Sequence, residues 1–226
     1  MGSAFIGMPD EGLAFLEDLE DRNTRAFFEA NKTVFKEQVQ APFAALVEAA
    51  AARLRRSVPE LGQPKVFRIY RDLRFSKDKT PYKTSMSASV PSRAGEEGGG
   101  PGVATGFYVN VGPAGLYVAS GLYHPGRPEL ERARAAIADP DSGPELEAIL
   151  RRAAGKGLEP WLDPLQRMPR DWPADHPRAG LLKARSLVLN RQHERAPWLH
   201  TAELLDHLVA DWKAMIRFNQ WLERLP

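Results

Sequence analysis

The residues best suited to chemistry in this chain lie in one basic segment, from Lys65 to Lys83. Seven of its residues are basic and two are acidic, a local charge of +5 in a chain whose net charge is +2. Four aromatic residues alternate with these charges, unlike a disordered basic tail. The basic residues are Lys65, Arg68, Arg71, Arg74, Lys77, Lys79 and Lys83, the acids are Asp72 and Asp78, and the aromatics are Phe67, Tyr70, Phe75 and Tyr82.

This density of arginine predicts an anion-binding site. A guanidinium group donates two parallel hydrogen bonds, an arrangement that suits a phosphate or a carboxylate. In an extended chain Arg68, Tyr70, Asp72 and Arg74 project to the same side. We expect a small anionic ligand to be bound by Arg68, Arg71, Arg74, Lys79, Lys83 and Tyr70.

Arg71 falls on the other side of that extended chain, among apolar residues. An arginine there must pair with an acid, such as Asp72 or Asp78, unless the strand ends at Tyr70. Residues 78–81 have the composition of a turn. Such a turn folds Tyr82 and Lys83 back toward the arginines.

Four residues are candidates for catalytic or orienting roles: Asp72, Asp78, Tyr82 and His124. His124 follows a predicted hairpin, and a histidine at such a rim can supply general acid–base chemistry. The sequence contains no H-E-x-x-H, calcium-loop or G-x-S-x-G pattern. We therefore expect neither a metal nor a cofactor, and the sequence does not decide whether the protein is an enzyme.

The composition predicts a protein with a substantial core. The chain has 226 residues, of which 43% are hydrophobic, and it has no cysteine. It therefore has no disulfides, thiolate metal sites or cysteine nucleophiles. The N-terminus lacks the pattern of a signal peptide, and no window approaches the roughly 18 apolar residues of a membrane span. We expect one domain in the cytoplasm with no membrane partner.

The order of elements that would position the basic segment predicts an α+β fold. Residues 1–64 show helical periodicity, residues 65–123 are strand-like, and residues 124–226 mix helices and loops. We expect a mostly antiparallel sheet, covered on one side, with the C-terminal helices packed on it. The predicted strands cover residues 66–70, 85–90, 106–111 and 116–120, with a surface loop over 92–102.

The basic segment also resembles the signature of a known family. R-x-x-R-D-x-R-F from Arg68 to Phe75, followed by Asp78-Lys79 and Tyr82, is similar to that of the domain of unknown function 2461 family. The resemblance extends over nearly the whole chain and implies that the arginine-rich segment is the defining feature of the family. It implies no activity. The other similar blocks are Asn23–Phe28, with Ala26 and Phe27 where glutamate and tryptophan are usual, Asp175–Pro177 and Leu181–Lys183.

Three functions fit these observations. The first is an anion-binding enzyme that acts on a phosphorylated small molecule or a nucleotide. The second is a nucleic-acid-binding module, in which basic groups follow the phosphates and aromatic rings stack on bases. The third is a structural network of ion pairs in an interaction protein, in which Arg71 and Asp72 stabilise the sheet.

Overall fold

The computed structural model describes residues 5–72, 74, 77–93 and 105–226. The predicted α+β class is confirmed, because N-terminal helices precede a six-stranded antiparallel sheet and a C-terminal helix packs on that sheet. Phe75 of the signature and most of the predicted loop over residues 92–102 lie outside the described residues. No described helix is both long enough and apolar enough to cross a membrane.

The helices and strands have the following bounds. The helices are α1 Asp10–Asp21, α2 Arg25–Ala30, α3 Lys32–Val34, α4 Ala41–Leu54, α5 Arg127–Ala138, α6 Ser142–Ala154, α7 Ala179–Leu182 and α8 Glu203–Glu223, with a π-helical segment at Phe35–Gln40 and a 3-10 helix at Pro197–His200. The strands are β1 Lys65–Val66, β2 Met86–Pro91, β3 Gly106–Gly112, β4 Gly115–Leu122, β5 Glu159–Trp161 and β6 Leu187–His193.

Local residues determine where the N-terminal helices begin and bend. The hydroxyl of Thr24 caps α2 by accepting a hydrogen bond from the backbone N–H of Phe27 at 3.2 Å. Pro42 has no N–H to donate to the preceding turn, and the helix widens into the π-helical segment just before α4. Gly12 of α1 lies against this wide turn, where an added Cβ would be 2.0 Å from the carbonyl oxygen of Gln38.

The sheet has the strand order β1-β2-β3-β4-β6-β5, and every neighbouring pair is antiparallel. The predicted hairpin is confirmed as β3 and β4, joined by a tight turn. The strand predicted over residues 66–70 is wrong in its extent, because β1 ends at Val66. After β1 the chain leaves the edge of the sheet, and Tyr70 forms an isolated bridge with Tyr82 instead.

One face of the sheet packs against α8. The buried residues Val109 and Val118 lie opposite each other on this face. The ring of Phe107 contacts that of Trp212 on α8, with 5.6 Å between the ring centroids. The indole Nε1 of Trp212 donates a hydrogen bond to the carbonyl oxygen of Tyr108 at 3.1 Å. This covered face therefore forms the main core of the molecule.

Polar groups buried on the covered face are mostly paired with one another. Asp211 of α8 is 5% exposed. Its carboxylate accepts a hydrogen bond from Arg191 at 3.2 Å and lies 2.5 Å from Nε2 of His193. Ser120 of β4 donates to the side-chain oxygen of Asn219 at 2.8 Å. These contacts connect β4 and β6 to α8.

Candidate functional site

The basic segment folds back on itself after β1. The backbone N–H of Arg71 donates to the carbonyl oxygen of Pro81 at 2.9 Å, and that of Lys83 donates to Ile69 at 2.7 Å. Tyr70 and Tyr82 are therefore side by side, with 5.3 Å between their ring centroids. The fold-back that the turn at residues 78–81 predicts is present.

Arg71 has the acidic partner that its position in the sequence requires. Its NH1 group donates to Oδ2 of Asp78 at 2.5 Å, and its Nε donates to the carbonyl oxygen of Tyr82 at 2.8 Å. The other oxygen of Asp78 accepts hydrogen bonds from the backbone and the hydroxyl of Thr80. These Thr80 contacts, with Arg71 nearby, lower the pKa of Asp78. Arg71 and Asp78 thus hold the shape of the turn.

Asn23 connects the N-terminal helices to this turn. Its side-chain amide accepts a hydrogen bond from the backbone N–H of Tyr82 and donates one to the carbonyl oxygen of Tyr82, both at 3.0 Å. Tyr82 is 2% exposed, and its ring stacks on Phe28 with 4.1 Å between centroids. Burial raises the pKa of the Tyr82 phenol. The early block and the arginine-rich signature therefore form one structural unit.

Asp72 and Arg74 form a local ion pair at the surface. Arg74 donates from Nε to Oδ1 at 2.9 Å and from NH2 to Oδ2 at 2.6 Å, and both side chains are exposed. This contact lowers the pKa of Asp72 to about 2. Tyr70 is half exposed and packs against Tyr82 and Phe28, while Lys79 is exposed.

The other face of the sheet carries a groove of about 600 Å³, which we call the open-face groove. Small residues of the central strands form its floor, and aromatic side chains border it. The floor residues are Ser87, Ser89, Gly106, Ala119 and Gly121, and the aromatic residues are Phe67, Tyr108, Tyr117, Tyr123 and Trp161. Burial is the main cause that raises the pKa of Tyr117. Tyr117 is therefore partly shielded from solvent in the groove.

Ser89 places an unpartnered hydroxyl in this groove. The residue is 5% exposed, and its Oγ has no hydrogen-bond partner in the structure. A buried hydroxyl without a partner loses the hydrogen bonds that it makes to water in the unfolded chain. The Ser89 hydroxyl is thus a buried polar group beneath the floor of the groove, and no described residue satisfies its hydrogen-bonding capacity.

The basic segment reaches the groove at Lys83. This lysine is half-buried and lines the groove, with its Nζ 5.8 Å from the centroid of the Phe67 ring. Burial lowers the pKa of the Lys83 amine, and the neighbouring charges of Arg68 and Arg71 lower it further. Among the described residues, no carboxylate lies within 4.0 Å of Lys83 or of Arg68, so their positive charge is not neutralised by contact.

The opposite end of the groove is aromatic. Tyr123 and Trp161 stack with 5.5 Å between their centroids, and they are 51% and 38% exposed. His124 lies beside them, 5.6 Å from the Trp161 ring, and its backbone N–H donates to the hydroxyl of Ser186. No described group of three or more His, Asp or Glu residues is arranged to hold a metal ion.

The structure separates the residues that the sequence groups together. Lys83 lies at the groove, and the charge of Arg68 lies near it. Arg71 forms an ion pair with Asp78, and Arg74 forms one with Asp72. His124 lies at the far end, and Tyr82 lies in the core. Four groove residues are not identifiable from the sequence pattern: Ser89, Tyr108, Tyr117 and Trp161. The predicted strand over residues 85–90 does contain the floor residues Ser87 and Ser89.

Comparison with known proteins gives one positive result. The family model described as "Conserved hypothetical protein (DUF2461)" matches residues 11–221. No curated protein matches the chain. The match covers the N-terminal helices, the basic segment, the sheet and nearly all of α8. The chain therefore belongs to the DUF2461 family.

Proposed function

We propose that the open-face groove binds an elongated small molecule that has an apolar or aromatic body and one anionic group. Lys83 and Arg68 receive the anionic group, and the tyrosines of β3 and β4 contact the body. The observation that carries the proposal is the positive charge, unneutralised by contact, at one end of an apolar groove. Such a charge beside apolar surface favours an anionic ligand group.

The dimensions of the groove support a small ligand. A volume of about 600 Å³ is typical of sites for small molecules. The lining residues extend from Phe67, next to β1, to Trp161 on β5. Five spacings of about 4.8 Å separate these two strands, so the groove is roughly 24 Å long. An extended ligand is therefore favoured over a compact one.

A nucleic acid is the less suitable ligand for this face. The open sheet with Tyr108 and Tyr117 resembles a surface on which bases could stack. However, Lys83 is the one basic residue among the described residues that line the groove. A polynucleotide requires a cation near each of several phosphates, and its affinity depends on them. A ligand with one anionic group suits the site better.

The contacts of Arg71 support a structural role for part of the basic segment. The backbone around Tyr82 is held by the side chains of Arg71, Asp78 and Asn23, which already form hydrogen bonds or ion pairs within the protein. This turn positions Lys83, which immediately follows Tyr82. We therefore assign ion pairing to Arg71 and ligand contact to Arg68 and Lys83.

Fluorescence titration with anilinonaphthalene sulfonate tests the proposal, because this probe has an aromatic body and one anionic group. We expect the folded protein to bind it with a defined stoichiometry of one. Lys83→Met keeps the bulk of the side chain but removes the charge. We expect it to weaken binding by about tenfold or more, as loss of a charge-assisted hydrogen bond does.

Two variants control this titration. Ala119→Phe places a ring on the floor of the groove and should abolish binding, whereas Lys213→Met removes an exposed lysine of α8 and should leave affinity unchanged. Equal affinity of the native protein, Lys83→Met and Ala119→Phe would overturn the proposal. Circular dichroism and thermal unfolding establish that each variant is folded.

A further inference from the structure

Lys83 differs from an ordinary surface lysine in three ways. It is half-buried at the end of an apolar groove, it lies beside the cations Arg68 and Arg71, and no described carboxylate contacts it. Lys32 is the opposite case, since it forms an exposed ion pair with Glu29 that raises the pKa of its amine. The surroundings of Lys83 lower the pKa of its amine, whereas those of Lys32 raise it.

A neutral lysine amine is a nucleophile. Burial in an apolar site and the proximity of another cation are the two means by which proteins activate lysine for attack on carbonyl groups. Both are present at Lys83, and arginine stays protonated, so the neighbouring charges persist at neutral pH. The groove also holds a ligand against the amine in a fixed position, which adds to reactivity.

We infer that Lys83 forms an imine with an aldehyde or a 2-oxo acid bound in the open-face groove. The lone pair of Nζ forms a bond to the carbonyl carbon, and the carbonyl oxygen becomes a hydroxyl group. This oxygen then leaves as water with the two protons of the amine, and a C=N bond remains. The inference rests on the proposed function, because the groove must first bind the carbonyl compound.

Arg68 has a separate role in this arrangement. Once Lys83 is neutral and bonded to carbon, it no longer attracts the anionic group of the ligand. Arg68 is exposed next to Lys83, and no described acid contacts it within 4.0 Å. Its guanidinium is suited to the carboxylate of a 2-oxo acid. The favoured ligand is therefore a 2-oxo acid with an apolar body.

Reductive trapping tests the inference. The full chain is incubated with phenylglyoxylate, an aromatic 2-oxo acid, and then treated with sodium borohydride, which converts an imine into a stable secondary amine. Peptide mass spectrometry measures the fraction of each lysine that is labelled. We expect Lys83 to be labelled about tenfold or more above Lys213, because the groove both activates and positions its amine.

Two variants make the result specific. Ala119→Phe should lower labelling of Lys83 to the level of Lys213, since the groove is filled. Arg68→Gln should lower labelling of Lys83 by phenylglyoxylate more than labelling by benzaldehyde, which has no carboxylate. Labelling of Lys83 at the level of Lys213 in the native protein would overturn the inference.

The failure of this inference is distinguishable from failure of the proposed function. If the native protein binds anilinonaphthalene sulfonate in the groove but Lys83 is not selectively trapped, the imine is excluded and the binding site stands. If the sulfonate probe does not bind in the groove and phenylglyoxylate does not label Lys83 selectively, both proposals are wrong.

Discussion

The two faces of the sheet are made from the same strands, yet polar side chains on the two faces differ in their hydrogen bonds and ion pairs. On the face covered by α8, Asp211 is paired with Arg191 and His193, and Ser120 is paired with Asn219, although Nδ2 of Asn219 has no partner. On the open face, Ser89 has no partner and Lys83 has no contacting acid among the described residues. The difference lies in Ser89 and Lys83 rather than in every polar group, since Asn110 of the open face donates a hydrogen bond to Ser85 at 2.8 Å.

The largest effect is expected on the covered face, at Asp211. Asp211→Ala leaves the cation of Arg191 and the ring of His193 without their buried carboxylate. We expect the free energy of unfolding to fall by about 3 kcal/mol, the loss typical of breaking a buried ion pair. Urea denaturation measures it. Asp206→Ala, which breaks an exposed ion pair of α8 with Arg53, is the matched control and should cost less than about 1 kcal/mol.

The second effect concerns the turn that positions Lys83. Asn23→Ala removes both hydrogen bonds to the backbone of Tyr82, and Tyr82 is buried. We expect a loss of about 2 kcal/mol in the free energy of unfolding, because the backbone N–H of Tyr82 loses its partner and the carbonyl oxygen of Tyr82 keeps only Arg71. Binding of anilinonaphthalene sulfonate should also weaken, since the turn no longer holds Lys83. An unchanged stability would show that the other contacts of the turn, including those of Arg71 and Thr80 with Asp78, hold it without Asn23.

A matched pair of serines compares the two faces directly. Ser120 and Ser89 are both at most 5% exposed, but one hydroxyl is hydrogen-bonded and the other is not. Ser120→Ala should lower the free energy of unfolding by about 1 kcal/mol, whereas Ser89→Ala should leave it unchanged or slightly higher. Thermal unfolding of the two variants gives the comparison, and equal losses would contradict the description of the open face.

The smallest effect is a pH dependence at Lys83. Its pKa in the folded protein is lower than the value of 10.5 expected in the unfolded chain. The folded state therefore binds the proton less tightly, and this group destabilises the fold at pH values below its folded pKa. That penalty disappears as pH rises through 10.5. Relative to Lys83→Met, the native protein should gain stability over this interval, as measured by urea denaturation at several pH values.

The sequence predicted the architecture better than the site. The helical N-terminal region, the hairpin of β3 and β4 and the need of Arg71 for an acid all depend on neighbouring residues, and each is present. The predicted extent of β1 was wrong, because the turn around Arg71 directs the chain away from the edge of the sheet.

The groove depends on contacts that sequence spacing does not reveal. Phe67, Tyr117 and Trp161 are far apart in the chain and meet only through the strand order of the sheet. Trp161 lies in a stretch without periodicity, which gave no sign of an edge strand. Ser89 lies in a strand that the sequence predicts, but the lack of a hydrogen-bond partner for its hydroxyl is a property of the packed structure.

A crystal structure of the protein with anilinonaphthalene sulfonate tests the central claim most directly. We predict that the sulfonate lies within hydrogen-bonding distance of Nζ of Lys83, and that the rings lie in the open-face groove against Tyr117. A probe bound elsewhere, or a sulfonate at the Tyr123 end of the groove, would contradict the assignment of Lys83 as the anion-binding residue.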